Sequence, residues 1–282
     1  MKEKEDEILN AEGKLSELEF NLFQEFRLET LPYIENIKKV ALEIAFLDVL
    51  QGFAYCAMQN DYVKPKIFNI GSGEKIINVK NSRHPVIEVL SEEEFVSNDI
   101  LLNDNQRRMN VLTGPNMSGK STYIRQIALC VLLTQTGSFI PASLGDITMV
   151  DRIFTRVGAS DDLIRGRSTF MVEMDEASNI LNNATENSLV ILDEIGRGTS
   201  TYDGVSIAWA LAEYLINKVE ARTMFATHYH ELLALSESNP EFVTNLNVQV
   251  HEDDEKEEVI FLRKIIEGGT DRSYGIHVAK LA

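Results

Sequence analysis

The chain has 282 residues, of which 44% are hydrophobic and 25% charged, an ordinary globular balance with length for one large domain or two smaller ones. Its formal net charge is −17. A nucleic-acid-gripping domain is usually basic, so this charge argues against a DNA-binding surface within this stretch. Much of the excess sits in the runs Lys2 to Glu7, Glu92 to Glu94 and Glu252 to Glu258, which read as solvated surface. Cys56 and Cys130 fit no metal spacing and read as reduced thiols of a cytosol-like compartment. No apolar stretch reaches the roughly 20 residues of a membrane span, so no membrane partner is expected. The first residues are too acidic for a signal or transit peptide.

Residues 1–62 read as a helical segment and 63–282 as an α/β domain. Leu15, Leu18, Leu22 and Phe26 step by three and four, as do Ile37, Val40, Ala41, Ile44 and Leu47. Pro32 lies between the two sets and should kink or divide the helix. The pattern begins at Met1 with no cap, as in a piece of a longer chain.

Past residue 63 the pattern changes to short β-like runs around Ile67, Ile76, Ile77 and Val79, with a turn at Gly71 to Gly73. His84, before Pro85, reads as structural rather than catalytic. The stretch Asn110 to Thr122 then organises everything after it. Gly114, Gly119, Lys120 and Ser121 fit the phosphate-loop spacing G-x-x-x-x-G-K-[ST], with a strand-like run before and a helix-like run, Tyr123 to Leu133, after. The glycines let backbone N–H groups turn toward an anion, and the helix start adds its positive end. Lys120 can reach outer phosphates and Ser121 can ligate Mg²⁺.

Gly145 to Val150 and Arg152 to Val157 read as strands, and Asp161 to Thr169 as loop. A helix over Phe170 to Asn183 puts Met171, Met174, Ala177 and Ile180 on one face. Ser168 stands at its start, either as a plain cap or as a second anion site. Two predicted strands and a loop part Ser168 from Lys120, so one subunit could present them as separate patches. Ser188 to Leu192 reads as a strand buried on both faces, ended by Asp193 and Glu194. Beside a phosphate loop, Asp193 can hold Mg²⁺ and Glu194 can orient or deprotonate water. The loop Ile195 to Gly204 leads into a helix from about Val205 to Ile216. Thr223 to Ala226 forms a further strand, and His228 beyond it should lie at the same sheet edge, in reach of a γ-phosphate. His230 reads as surface. Val243 to Val250 and Val259 to Ile265 read as a hairpin.

The phosphate loop Gly114 to Thr122, Phe154 to Met174, the run Asp193 to Gly204, Ala226 to Leu232 and Ser273 to Ala282 together resemble the ATPase domain of the MutS family of DNA mismatch-recognition proteins. D-E-I-G-R-G-T-S-T-Y-D-G is the most specific of these. The resemblance is dense over 83–282, and the helices before it look like the end of that family's lever and clamp region. It implies a P-loop NTPase of the ABC type, with ATP and Mg²⁺ as cofactors and two subunits sandwiching two nucleotides. By position, Gly114, Pro115, Asn116, Met117, Ser118, Gly119, Lys120, Ser121 and Thr122 would hold the phosphates. Ser121 and Asp193 would hold the metal, while Glu194, His228 and Lys120 would serve hydrolysis. Ser168 would reach the nucleotide of the other subunit, and Asp203 would lie in a loop crossing the dimer interface. Phe95 resembles the family's adenine-packing aromatic. Arg263 stands where some members have histidine, and its guanidinium plane can also stack.

The resemblance further implies a same-family subunit, mismatched duplex DNA bound through domains absent here, and a repair factor of the MutL type. Its implied location is the cytoplasm, with the nucleoid, in a bacterium and the nucleus in a eukaryote. A paralogue serving recombination and a nucleotide-dependent interaction module without turnover are the competing readings. The charge generates a prediction: this stretch by itself should bind duplex DNA weakly or not at all at physiological salt, lacking a basic patch to release counterions. An anisotropy titration giving salt-dependent submicromolar affinity would contradict it.

Overall fold

The structure, a computed structural model, describes residues 2–157, 168–253 and 258–270. The expected loop from Asp161 to residue 167, and the stretch from Ser273 onward, lie outside the described residues. The chain divides into two compact units, Met1–Tyr55 and Cys56–Ala282.

In the first unit, α1 (Lys2–Thr30) and α2 (Ile34–Gln59, which runs on past the unit boundary) are joined by a 3-10 turn, Leu31–Tyr33. Pro32 sits inside that turn, where its fixed φ and missing N–H interrupt the regular helix as expected. The Thr30 hydroxyl donates to the Phe26 carbonyl at 2.7 Å, closing the end of α1. Both apolar stripes, including Leu15, Leu22, Phe26, Ile37, Ile44 and Leu47, are exposed. One expectation needs correcting. The helical stretch Gly13–Gln59 is long and apolar enough to cross a membrane by length and composition, with a mean hydropathy of 1.5 in its most apolar window. Isolated acids such as Glu43 and Asp48 break the uninterrupted run without lowering the average much.

The second unit holds two sheets. One has the order β1-β5-β2-β3, from β1 (Lys66–Phe68), β2 (Ile76–Ser82), β3 (Asn98–Asn103) and β5 (Leu144–Thr148). A short helix, α3 (Ile87–Leu90), lies between β2 and β3. The other sheet carries the site. It contains β4 (Met109–Thr113), β6 (Ile153–Arg156), β7 (Leu189–Asp193), β8 (Arg222–Ala226), β9 (Val243–Asp253) and β10 (Glu258–Glu267) in the order β10-β9-β4-β8-β7-β6. All its pairings are parallel except that of β9 with β10. Helix α4 (Lys120–Gln135) follows β4, α5 (Thr169–Asn183) precedes β7, and α6 (Thr201–Tyr214) links β7 to β8. A π-helical turn, Leu215–Val219, extends α6, and α7 (Leu235–Ser238) precedes β9.

β4, β7 and β8 are buried at every residue, as strands covered on both faces must be. Alternation divides their side chains between two cores. Leu112, Leu189, Ile191 and Met224 pack with Ile124 and Ile127 of α4. Val111, Val190, Leu192 and Phe225 pack with Ala208 and Leu211 of α6.

Two local expectations change. Helix α6 begins at Thr201, not Val205, because Ser200 caps it: its hydroxyl accepts from the Asp203 N–H at 3.3 Å and donates to Asp203 Oδ2 at 2.7 Å. Asp203 therefore stands in the first turn of a helix, not in a loop. In α5 the buried positions are Glu173, Ala177 and Ile180, whereas Met171 is exposed.

α6 begins against a tight contact. A Cβ at Gly204 would lie 2.2 Å from Tyr229 Oη and 2.5 Å from the Gly196 carbonyl oxygen. Gly204→Ala gains about 1 kcal/mol of helix propensity but overpacks a buried backbone contact. A net loss of about 1–2 kcal/mol is expected as a lower denaturant midpoint; an unchanged or raised midpoint would contradict it.

Candidate active site

The phosphate loop runs from the end of β4 into α4. Gly119 takes φ 99°, a left-handed conformation that glycine reaches without strain, and it directs the chain into the first turn of the helix. The Ser118 hydroxyl donates to the Pro115 carbonyl at 2.8 Å, bracing the loop from inside. Lys120 is buried, and its Nζ donates to the carbonyls of Gly114 at 2.6 Å and Pro115 at 3.0 Å. Burial pushes its amine below the ordinary lysine range, and the Glu194 carboxylate pulls the other way. Pro115, Asn116, Met117, Gly119, Lys120, Ser121 and Thr122 line one cavity of about 330 Å³, and Glu194 closes it.

Strand register delivers the acids there. Asp193 is opposite Ala226 in β8, and Ala226 is opposite Leu112 in β4. Asp193 is buried at the end of β7, and its Oδ1 has no hydrogen-bond partner among the described residues. Burial raises its carboxyl above the usual range, opposed by a hydrogen bond with Ser121. Glu194 takes a left-handed φ of 56°, and its N–H donates to the Ala226 carbonyl at 2.9 Å. One of its carboxylate oxygens lies 3.6 Å from Lys120 Nζ and the other 2.8 Å from Arg197 Nη1. His228 is half-buried just beyond β8, close enough for Arg197, Glu194 and Lys120 to act on its charge. Its Nδ1 is buried without a partner among the described residues.

Lys120, Ser121, Asp193, Glu194 and His228 thus gather at one edge. Phe95 joins them from a distant part of the sequence: it lines a cavity of about 190 Å³ with Met117, Gly119, Thr122 and Arg263. Ser168 does not share the phosphate-loop cavity. Its exposed hydroxyl accepts from the Met171 N–H at 3.2 Å, which makes it a cap. The neighbouring Thr169, however, lines a cavity of about 390 Å³ with Ser121, Glu173, Asp193 and Glu194. The start of α5 and the phosphate loop therefore border a common cavity, closer than separate patches. His230 is half-buried, not surface: its Nδ1 lies 2.7 Å from the Thr270 carbonyl.

Three site residues were not singled out from the sequence. Arg197 joins the acid pair to the phosphate loop, donating to Asn116 Oδ1 at 3.2 Å while paired with Glu194. A cation three residues after an acid in a glycine-rich run was the available signal. Asn98 fixes the cavity beside Phe95. Its amide donates to the carbonyls of Val96 at 3.2 Å and Arg263 at 2.9 Å and accepts from the Ile265 N–H at 2.8 Å. Glu173 reaches the loop after the acids, and its place on a helix face dominated by apolar residues gave no sign of it.

The electrostatics generate a prediction for His228. Burial and then the Arg197 charge hold its imidazole below the ordinary histidine value, so it is neutral at pH 7. NMR titration should place its midpoint below about 6.5, and Arg197→Ala should raise it by removing a positive charge that disfavours imidazolium. A midpoint at or above the free value, or a downward shift in the variant, would contradict this geometry.

Residues 110–282 match the family description of MutS domain V. Over the whole chain, the sequence is 54% identical to the DNA mismatch repair protein MutS of Clostridioides difficile strain 630, 54% to that of Protochlamydia amoebophila and 55% to that of Caldanaerobacter subterraneus. It spans only 29%, 32% and 32% of those relatives' lengths. Domain V is the family's ATPase domain, a P-loop fold of the ABC type, and the parallel sheet with its phosphate loop and acid pair has that architecture. The chain belongs to the MutS family of mismatch repair proteins and carries that family's domain V.

Proposed function

We propose that this chain binds ATP with Mg²⁺ and hydrolyses it, and that in the full-length protein the cycle drives closure of two subunits and sets the state of a DNA clamp. The observation that carries the reading is the meeting of phosphate loop and acid pair, with Lys120 Nζ 3.6 Å from Glu194 and Ser121 lining one cavity with Asp193 and Glu194. The residues fit the metal. Ser121 and Asp193 offer two oxygen ligands, and Asp193 Oδ1 is a buried acceptor with no partner among the described residues. Mg²⁺ is held in such sites by one or two protein ligands together with substrate phosphates. When bound, it would neutralise charge developing on the phosphates.

The chain's own groups account for the rest. Lys120, partly desolvated, places a positive charge beside the outer phosphates, where low dielectric strengthens it. Glu194 orients the attacking water and accepts its proton. Arg197 bridges the Glu194 carboxylate and the Asn116 side chain, tying the acid pair to the phosphate loop. Neutral His228 can donate a hydrogen bond to a γ-phosphate oxygen from one ring nitrogen. Phe95 and Arg263 provide flat surfaces for the adenine.

Ser168, exposed at the start of α5, is proposed to meet the nucleotide of a second subunit. Mismatched duplex DNA and a MutL-type factor are proposed partners of the full-length protein, and the cytoplasm its place in a bacterium. The apolar faces of α1 and α2 are read as packing surfaces of its lever and clamp rather than as a membrane span. Repair is favoured over recombination by the names of the relatives. A binding module without turnover is disfavoured by Glu194.

In the full-length dimeric protein, Glu194→Gln should keep ATP affinity and lose roughly 10²–10⁴ in single-turnover phosphate release. Undiminished release would remove Glu194 from the chemistry. An absence of release in the wild type would favour the binding module.

A further inference from the structure

We propose that Glu173 is a positioning residue for Glu194, acting through the Gly196 peptide. The proposal rests on the hydrolytic reading above. Glu173 lies in the second turn of α5 and is 3% exposed. Burying a carboxylate is costly unless its oxygens are used. Here both are used: one accepts the Gly196 N–H, and the other lies 3.6 Å from Arg156 Nη2.

Gly196 comes two residues after Glu194, and its peptide groups are held from several sides. Its carbonyl accepts the Tyr229 hydroxyl at 2.9 Å, from the residue next to His228. A Cβ on Gly196 would stand 2.7 Å from the Gly204 carbonyl oxygen, so the backbones of this loop and of α6 are in direct contact. Gly196 itself takes φ 93°. Glu194 takes φ 56°, a conformation that strains a non-glycine residue and persists only where its surroundings impose it. Glu173 and Tyr229, gripping the peptide two residues on, supply that constraint. Leucine would fill the Glu173 site without a buried charge. What the carboxylate adds is an acceptor for the Gly196 N–H. Glu173 borders the cavity lined by Ser121, Asp193 and Glu194, but its two carboxylate oxygens are taken by the Gly196 N–H and Arg156. Its effect is on where the Glu194 carboxylate stands.

The test uses the full-length protein and three measurements: single-turnover phosphate release, ATP affinity and thermal midpoint. Glu173→Leu should slow release roughly 10–100-fold, the scale of a misplaced catalytic group, with ATP affinity kept within about threefold. Glu173→Gln, whose amide oxygen can still accept from Gly196, should recover most of the rate. Tyr229→Phe removes the other grip on the same peptide and should slow release with ATP affinity likewise unchanged, which keeps the proposal testable if the leucine variant does not fold. Wild-type release in Glu173→Leu or in Tyr229→Phe overturns the proposal. So does a loss of affinity matching the loss of rate, or a glutamine variant as slow as leucine, since a merely structural carboxylate would give either. The two readings fail differently. If the wild type releases no phosphate, or Glu194→Gln releases it normally, the hydrolytic reading falls and takes Glu173 with it. If those two behave as expected while Glu173→Leu turns over normally, only the role of Glu173 falls.

Discussion

The site depends on the register of three parallel strands. Leu112, Ala226 and Asp193 lie side by side across β4, β8 and β7. Two backbone hydrogen bonds carry that alignment past the strand ends: Thr227 N–H to the Leu112 carbonyl, and Glu194 N–H to the Ala226 carbonyl, each at 2.9 Å. A slip of one residue would invert every side chain on the shifted strand. It would move Val190 and Leu192 out of the core they share with α6, and Asp193 away from Ser121. Burial on both faces thus enforces the alignment that brings the acids to the phosphate loop.

Charge at this edge is expensive. Lys120, Asp193 and Glu173 are all buried. Each is offset differently: Lys120 by loop carbonyls and Glu194, Glu173 by the Gly196 N–H and Arg156, while Asp193 Oδ1 has no hydrogen-bond partner among the described residues. Such groups are poor choices if stability is the only requirement. Asp193 and Glu173 border one cavity, Lys120 the neighbouring one, and Glu194, with its strained φ, borders both; such clustering of buried charge and strain is typical of functional sites.

The acidity of the chain and its family membership are compatible. A net charge of −17 over the chain gives no basic surface overall, while Lys120, Arg125, Arg156 and Arg197 supply positive charge around the two cavities of the site. The first unit has the opposite character. Its helices expose leucines, phenylalanines and isoleucines along most of their length. Exposed apolar surface on this scale marks a site of interaction with protein or membrane; the chain spans only about a third of the length of the relatives it matches.

Much of this was legible beforehand because the signals are local. The spacing of Gly114, Gly119 and Lys120 specifies a loop between strand and helix. A β-branched run ended by two acids specifies a buried strand with a chemical end, and Pro32 divides the long helix. The specific run from Asp193 to Gly204 specifies the family. What was not legible involves partners far apart in sequence or backbone shape that composition does not encode. Ser200 starting α6 early was missed because glycines nearby suggested loop, though the capping bond alone decides it. Arg197 acquires its role only when Asn116 lies beside it, and Glu173 only when Gly196 turns its N–H toward α5. Asn98 acquires its own only when β3 meets the irregular stretch of β10. The sequence by itself determined the phosphate loop and the acid pair, because phosphate chemistry restricts residue types and spacing. Only the tertiary structure decided which of them touch and how Glu194 is held, because those contacts depend on strand register and helix packing between segments that no local pattern connects.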